Sequence, residues 1–188
     1  MSYQSIYKSA AGERAVMALY DKVLALWPVS YQTLTIPTRH GETFVIVSGE
    51  ESAPALVLLH GAGSNSAIWA ADFGEYSRQY RVYAVDLLGE PGRSAANRPP
   101  WDSLAYAEWL EDVFDVLKIK TGILMGISQG RWTALKFSVH KPERVEKLAL
   151  LTPGGVIPDK LSFLIRVIPW LLLGRRGVEP IKRILFGN

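Results

Sequence analysis

The amino-acid sequence predicts an α/β protein: a three-layer sandwich whose mostly parallel sheet carries an antiparallel hairpin at its N-terminal end. Three observations predict this class. Short apolar runs alternate with segments of helical period from residue 55 onward, a pair of short strand-like segments precedes them, and polar or glycine-rich residues follow each apolar run. Strand–helix alternation is typical of a parallel sheet wrapped by helices. The 188 residues, 48% of them apolar, suit one domain with a substantial core.

The N-terminal part divides into a helical extension over residues 1–30 and the start of the main domain, which we expect to cover residues 31–155. Residues 9–27 place apolar side chains at helical period and stop before Pro28, which predicts a helix on the outside of the domain. Alternating residues 31–37 and the second run 43–48 flank a polar turn, which predicts a hairpin. His40 lies in that turn, where a solvated loop position is expected.

The remaining elements follow in order. The continuous apolar run 55–59 predicts a strand buried on both faces. We expect a helix over 67–79, strands over 81–85, 122–125 and 147–151, a turn at 142–145, and a helix from Trp132 onward. Ser103 can cap another long helix, whose predicted inner face comprises Leu104, Ala107, Leu110, Val113, Phe114 and Leu117.

Composition excludes several classes of function. The chain contains no cysteine, which rules out disulfides, a thiol nucleophile and thiolate metal sites and suits a reducing cytoplasm. The net charge of +3 comes without a basic stripe, so nucleic-acid binding gains no support. The first residues lack a signal-peptide layout, and no apolar run reaches the roughly 18–20 residues that span a bilayer. Nothing in the sequence indicates a metal or an organic cofactor.

Residues 126–130 carry the pattern G-x-S-x-G between a predicted strand and a predicted helix. This context distinguishes a nucleophile elbow from a chance match, because the tight turn holds the serine hydroxyl clear of the sheet. Glycines on either side avoid collisions with the strand and helix. His60, Asp86, Ser128 and Thr152 all follow predicted strands, and ligands bind beyond the carboxyl ends of such strands.

Several ordered motifs together make the chain similar to the α/β-hydrolase superfamily, in particular its bacterial carboxylesterase-like members. These are H-G-A-G at residues 60–63, D-x-x-G-x-x-G-x-S at 86–94, the elbow, P-E-R-V at 142–145, and L-L-T-P at 150–153. The resemblance runs from residue 31 to about residue 153.

The resemblance implies a role for each matching residue. Ser128 would be the nucleophile, and the backbone amides of Ala62 and Gln129 would form the oxyanion hole. His60, Gly61 and Trp69 would border the substrate pocket. His60 itself resembles a structural histidine that braces its loop, and Trp69 could equally belong to the core. Asp86 and Arg93 would hold their own loop in place. The implied substrate is a small ester, cleaved without a cofactor.

Two departures from the family pattern bear on activity. Arg131 stands where a small residue is usual, and the chain places no recognisable acid and histidine after Ser128. His140 is the single histidine downstream, and twelve helical residues would carry it about 18 Å from the serine. The fold thus reads as C-terminally incomplete. We expect a weak or inactive esterase, with a non-catalytic binding module or a truncated fragment as the alternative.

Residues 156–188 predict a partial helical cap or tail. Apolar residues and basic residues alternate there with Pro158, Pro169 and Pro180. A cap over the pocket is the favoured interpretation. An amphipathic segment over residues 160–186 at a membrane surface is the alternative, and a second copy of the chain could cover the open sheet edge.

Overall fold

The computed structural model of the chain describes residues 6–151 together with 168–170, 173, 176 and 179–180. Within them, six strands form one sheet in the order β1-β2-β4-β3-β5-β6. Their bounds are β1 Gln32–Ile36, β2 Thr43–Ser48, β3 Ala55–Leu59, β4 Arg81–Val85, β5 Gly122–Ile127 and β6 Val145–Leu151.

The sheet is mixed in the way the sequence predicts. The hairpin β1–β2 is antiparallel, with Ile36 opposite Thr43, and β2 pairs antiparallel with β4. Strands β4, β3, β5 and β6 are mutually parallel. Central strand β3 is buried along residues 56–59, as its continuous apolar run requires.

Within residues 6–151, four α-helices flank the sheet: α1 Ala10–Ala25, α2 Ala70–Tyr76, α3 Ala105–Val116 and α4 Gln129–His140. Short 3₁₀ turns occupy Ser66–Trp69 and Pro142–Arg144. The hydroxyl of Ser9 caps α1 by accepting from the Gly12 amide at 3.1 Å, because the first amides of a helix lack intrahelical acceptors.

Two apolar clusters cover the two faces of the sheet. Side chains of α3 and α4, including Trp109, Phe114 and Phe137, pack with Val57 and Leu59 on one face. The other cluster joins side chains of α1 and of the segment leading into α2 to strand residues; it includes Tyr20, Leu24, Trp27, Trp69, Phe73, Ile46 and Leu58. The result is the predicted three-layer sandwich, and the fold class is confirmed.

Some predicted details are wrong. Leu104 is 48% exposed, because α3 begins one residue later and turns Tyr106 and Trp109 toward the sheet instead. The single helix expected over 67–79 is a 3₁₀ turn followed by the shorter α2, which ends at Tyr76. The Ser103 hydroxyl does accept from the Ala105 amide, at 3.2 Å.

The chain forms two compact units, Met1–Thr152 and Pro153–Asn188. Thr152 and most of the predicted cap, 156–188, lie outside the described residues. Among those that are described, no helix is long and apolar enough to cross a membrane. Strand β6 is the outer strand on its side of the sheet as described. Covering of that edge by a second copy stays a prediction.

Candidate active site

Ser128 lies at the junction of β5 and α4 with φ 50° and ψ −109°. These are the angles of the first central residue of a type II′ turn, which glycine normally occupies. The tight turn is possible because the residues two positions before and two positions after Ser128 are glycines, which have no Cβ. A Cβ at Gly126 would overlap the backbone nitrogen of Arg131, and a Cβ at Gly130 would overlap the carbonyl oxygen of Leu59. Ser128 is exposed, so its hydroxyl is accessible beside the first turn of α4.

The loop that follows β3 approaches this serine closely. A Cβ placed on Gly61 would lie 3.4 Å from the Cβ of Ser128. The next residue is Ala62, which is exposed, and no acceptor among the described residues bonds its amide or that of Gln129. The positive end of the α4 dipole lies at the same point. Two backbone amides without a described acceptor therefore belong to residues next in the chain to Gly61 and to Ser128.

His60 is fixed in this loop by two backbone groups. The amide of Leu87 donates to its Nε2 at 2.9 Å, so the ring proton resides on Nδ1, which lies 2.8 Å from the carbonyl oxygen of Gly61. Burial lowers the pKa of His60, against the opposing effect of the Asp86 charge. A neutral imidazole with both nitrogens occupied braces the loop.

Asp86, fully buried at the end of β4, ties three segments together. Its Oδ1 accepts from the Tyr20 hydroxyl at 3.0 Å and from the Ser66 amide at 2.8 Å, and its Oδ2 accepts from the Arg93 amide at 2.8 Å. Burial raises the pKa of Tyr20 well above its usual range, and the adjacent carboxylate raises it further. The carboxylate therefore connects α1, the loop after β3 and the loop after β4.

Glu90 is a supporting residue that sequence reasoning missed. Its Oε2 accepts from the Gly63 amide at 2.6 Å, and its side chain is almost fully buried. Glu90 and His60 therefore both hold the loop that carries Ala62. The sequence signal for this role was the position of Glu90 within the glycine-rich motif 86–94. That signal is weak, because a glutamate in a loop is usually exposed to solvent.

The other two histidines lie elsewhere in the domain. The Nε2 of His40 is 3.5 Å from the Oε2 of Glu108, beside the hairpin turn. His140 is the last residue of α4, whose first residue follows Ser128. Within the described part of the chain, no histidine or carboxylate hydrogen-bonds the Ser128 hydroxyl.

A cavity of about 540 Å³ opens beside the serine. Its lining consists of Trp101, Asp102, Ser128, Gln129, Arg131 and Trp132. The Trp101 and Trp132 rings meet edge to face, with centroids 4.7 Å apart. Trp69, which the resemblance placed at the substrate pocket, lies in the core cluster that contains Tyr20 and Phe73 and is 2% exposed. Sequence reasoning missed Trp101, Asp102 and Trp132 as cavity residues, because their loop and helix face meet only in three dimensions.

Arg131 neither points outward nor breaks the elbow. Arg131 is 8% exposed and borders the cavity. The Ser128 turn beside it has the type II′ angles described above. Its Nε is buried without a hydrogen-bond partner. The described residues contain no group of three or more histidine, cysteine or acidic side chains that could hold a metal ion.

Known proteins share the sequence pattern and the fold of this chain. A sequence model of the alpha/beta hydrolase fold matches residues 54–178. Carboxylesterase YbfK of Bacillus subtilis is 35% identical over 173 residues, covering 90% of this chain and 57% of that protein. The uncharacterized carboxylesterase nap of Bacillus subtilis is 42% identical over 135 residues, covering 72% of this chain and 45% of that protein.

Among solved structures, the crystal structure of naproxen esterase (carboxylesterase NP) from Bacillus subtilis superposes with a TM-score of 0.77 at 36% identity. The match covers 92% of this chain and 60% of that structure. The chain therefore spans roughly half to three-fifths of the length of these similar proteins.

Proposed function

Because the chain belongs to the alpha/beta hydrolase fold family, we propose that it is a serine hydrolase of the carboxylesterase type, acting on a small ester through an acyl-enzyme on Ser128. The observation that carries this proposal is the strained backbone of Ser128, with φ 50°, at the start of α4. Strain at a non-glycine residue is maintained where function needs it. The similar Bacillus subtilis carboxylesterases support the same reaction class.

In the proposed reaction, the Oγ of Ser128 attacks the ester carbonyl and forms an oxygen–carbon bond. The amides of Ala62 and Gln129 stabilise the oxyanion, and each such donor is worth about 2.7–4 kcal/mol in a serine hydrolase. The ester bond then breaks, and the serine proton passes through solvent to the departing alcohol. Water hydrolyses the acyl-enzyme and regenerates the hydroxyl.

Turnover by this chain is proposed to be slow. Both nitrogens of His60 are engaged with backbone groups, His40 lies beside Glu108, and His140 lies at the far end of α4. An oxyanion hole and binding alone leave a residual acceleration of about 10³–10⁴ over water when triad members are missing. Acylation of Ser128 by an activated ester is therefore expected to be faster than hydrolysis of an unactivated ester.

The test uses p-nitrophenyl acetate with mass spectrometry. Trypsin cleaves after Lys120 and Arg131, so Ser128 lies in one peptide, 121–131. We expect this peptide to gain one acetyl group, and the gain to vanish in Ser128→Ala. Ser138→Ala is the matched control, because Ser138 lies on the same helix and its hydroxyl donates to the Leu135 carbonyl.

The outcomes separate the candidate functions. Ser128-dependent acetylation with slow release of p-nitrophenol supports the proposal, whereas rapid multiple turnover overturns slow turnover. If Ser128 is not acetylated and does not react with a fluorophosphonate, the nucleophile role is wrong. The second candidate, a binding module that retains the cavity without the chemistry, is favoured by the absence of a histidine at Ser128 among the described residues.

A further inference from the structure

We propose that Arg131 makes this site selective for esters that carry a carboxylate. The inference rests on the proposed role of Ser128, and it goes further by specifying the chemical class of substrate. It depends on three features of the cavity: a largely buried arginine with no partner among the described residues, a helix N-terminus, and apolar walls.

The first feature is the state of the Arg131 guanidinium. The residue is 8% exposed, its Nε has no acceptor, and it forms no ion pair or hydrogen bond with the described residues. Buried charges are normally paired, because removing a charge from water is costly. An anionic ligand group in the cavity would provide the missing partner, and a carboxylate matches the guanidinium in a two-bond geometry.

The second feature is the N-terminus of α4. Its first residue, Gln129, lines the same cavity as Arg131, so the positive end of a twelve-residue helix dipole also lies at this cavity. The amide of Gln129 also lies at this end without an acceptor among the described residues. Both features favour negative charge. Because the Gln129 amide is assigned to the oxyanion, Arg131 is the donor proposed for a remote carboxylate.

The third feature is the remaining wall of the cavity. Trp101 and Trp132 contribute apolar surface to the lining, and the volume of about 540 Å³ falls within the range of small-molecule sites. Asp102 also borders the cavity, but it is exposed and forms no ion pair with Arg131. As an exposed carboxylate it is screened by solvent and salt, whereas the largely buried arginine is screened much less.

The test compares esters matched in size that differ in one charge. On the acyl side, p-nitrophenyl hydrogen adipate is compared with p-nitrophenyl hexanoate; on the alcohol side, p-acetoxybenzoate is compared with phenyl acetate. The readout is the ratio of Ser128 acylation rates, anionic over neutral, in at least one arm. We expect Arg131→Met to lower this ratio by about 10-fold or more, which corresponds to about 1.4 kcal/mol.

Three variants make the result specific. Arg131→Lys keeps the charge and should retain part of the preference. Arg78→Met removes an exposed cation paired with Glu75 and should leave the ratio unchanged. Asp102→Asn should raise the ratio. If Arg131→Met fails to fold, Arg131→Lys still tests the inference, since loss of two-bond geometry should lower the ratio below the wild-type value.

Failure of this inference can be told apart from failure of the proposed function. Acylation of Ser128 by the neutral esters with ratios equal in wild type and Arg131→Met overturns the anion site and leaves the nucleophile role intact. If no ester acylates Ser128, calorimetry on Ser128→Ala with adipate decides the matter. If adipate binds the double variant with Ser128→Ala and Arg131→Met more weakly than it binds Ser128→Ala alone, the anion site is supported. Unchanged or undetectable binding overturns it.

Discussion

Replacing Asp86 by asparagine should destabilise the domain strongly, because this fully buried carboxylate accepts three hydrogen bonds. Asparagine has one acceptor oxygen. Its best orientation retains the bonds from Tyr20 and the Ser66 amide and turns its NH₂ group against the Arg93 amide, so that two donors face each other. A Cβ on Gly92 would overlap this carboxylate, so the backbone of Gly92 packs directly against it.

The magnitude follows from these contacts. One hydrogen bond to a charged acceptor is worth about 1.5–3 kcal/mol, and a buried donor left unsatisfied costs about 1–3 kcal/mol. Removal of a buried charge offsets part of this sum. We expect Asp86→Asn to lower the free energy of unfolding by about 2–4 kcal/mol.

Urea denaturation followed by tryptophan fluorescence and circular dichroism measures this change. Asp115→Asn is the matched control, because that carboxylate is 57% exposed in its pair with Arg144, and exposed pairs contribute less than about 1 kcal/mol. If the two variants lost equal stability, the three buried hydrogen bonds would not hold the loops together as described.

Three further predictions follow from buried groups around the site. Gly130→Ala should lower stability by about 1–3 kcal/mol and abolish Ser128 acylation, because its Cβ would overlap the Leu59 carbonyl; a fully active variant would contradict the elbow geometry. Tyr106→Phe should leave stability at neutral pH unchanged or higher, because the buried hydroxyl has no partner. Burial raises the pKa of Tyr106 to about 12, so the free energy of unfolding should fall as pH rises from about 10 to 12, where the unfolded chain loses the tyrosine proton more readily. In Tyr106→Phe, urea midpoints measured over this pH range should fall less. Burial lowers the pKa of His60, so stability should fall as pH drops below about 6.5, where the unfolded chain binds a proton that the folded chain does not. His60→Gln should reduce that acidic slope, and an unchanged slope would show that another group causes it.

Local pattern predicted the sheet well. Each strand is a short apolar or alternating run bounded by turn residues, so β2, β3 and β4 fall at the predicted residues 43–48, 55–59 and 81–85. The position of Ser128 between a strand and a helix also followed from local pattern. These features depend on residues within a few positions of one another.

The orientation of helix faces could not be predicted in the same way. In α4, Trp132, Leu135 and Val139 have helical spacing, yet Val139 is 76% exposed while Ala134 and Phe137 are buried. Helical period identifies two candidate faces, and contact with the sheet selects one of them. The wall formed by Trp101 and Trp132 joins residues 31 positions apart, and only tertiary packing brings them together.

The backbone angles of Ser128 also matter for protein engineering. Glycine adopts φ 50° without the penalty that serine incurs, and a strained residue of this kind costs about 1–3 kcal/mol. A screen of random variants for thermal resistance alone should therefore enrich Ser128→Gly. Such a screen would select for loss of the hydroxyl and would need a parallel selection on esters to retain it.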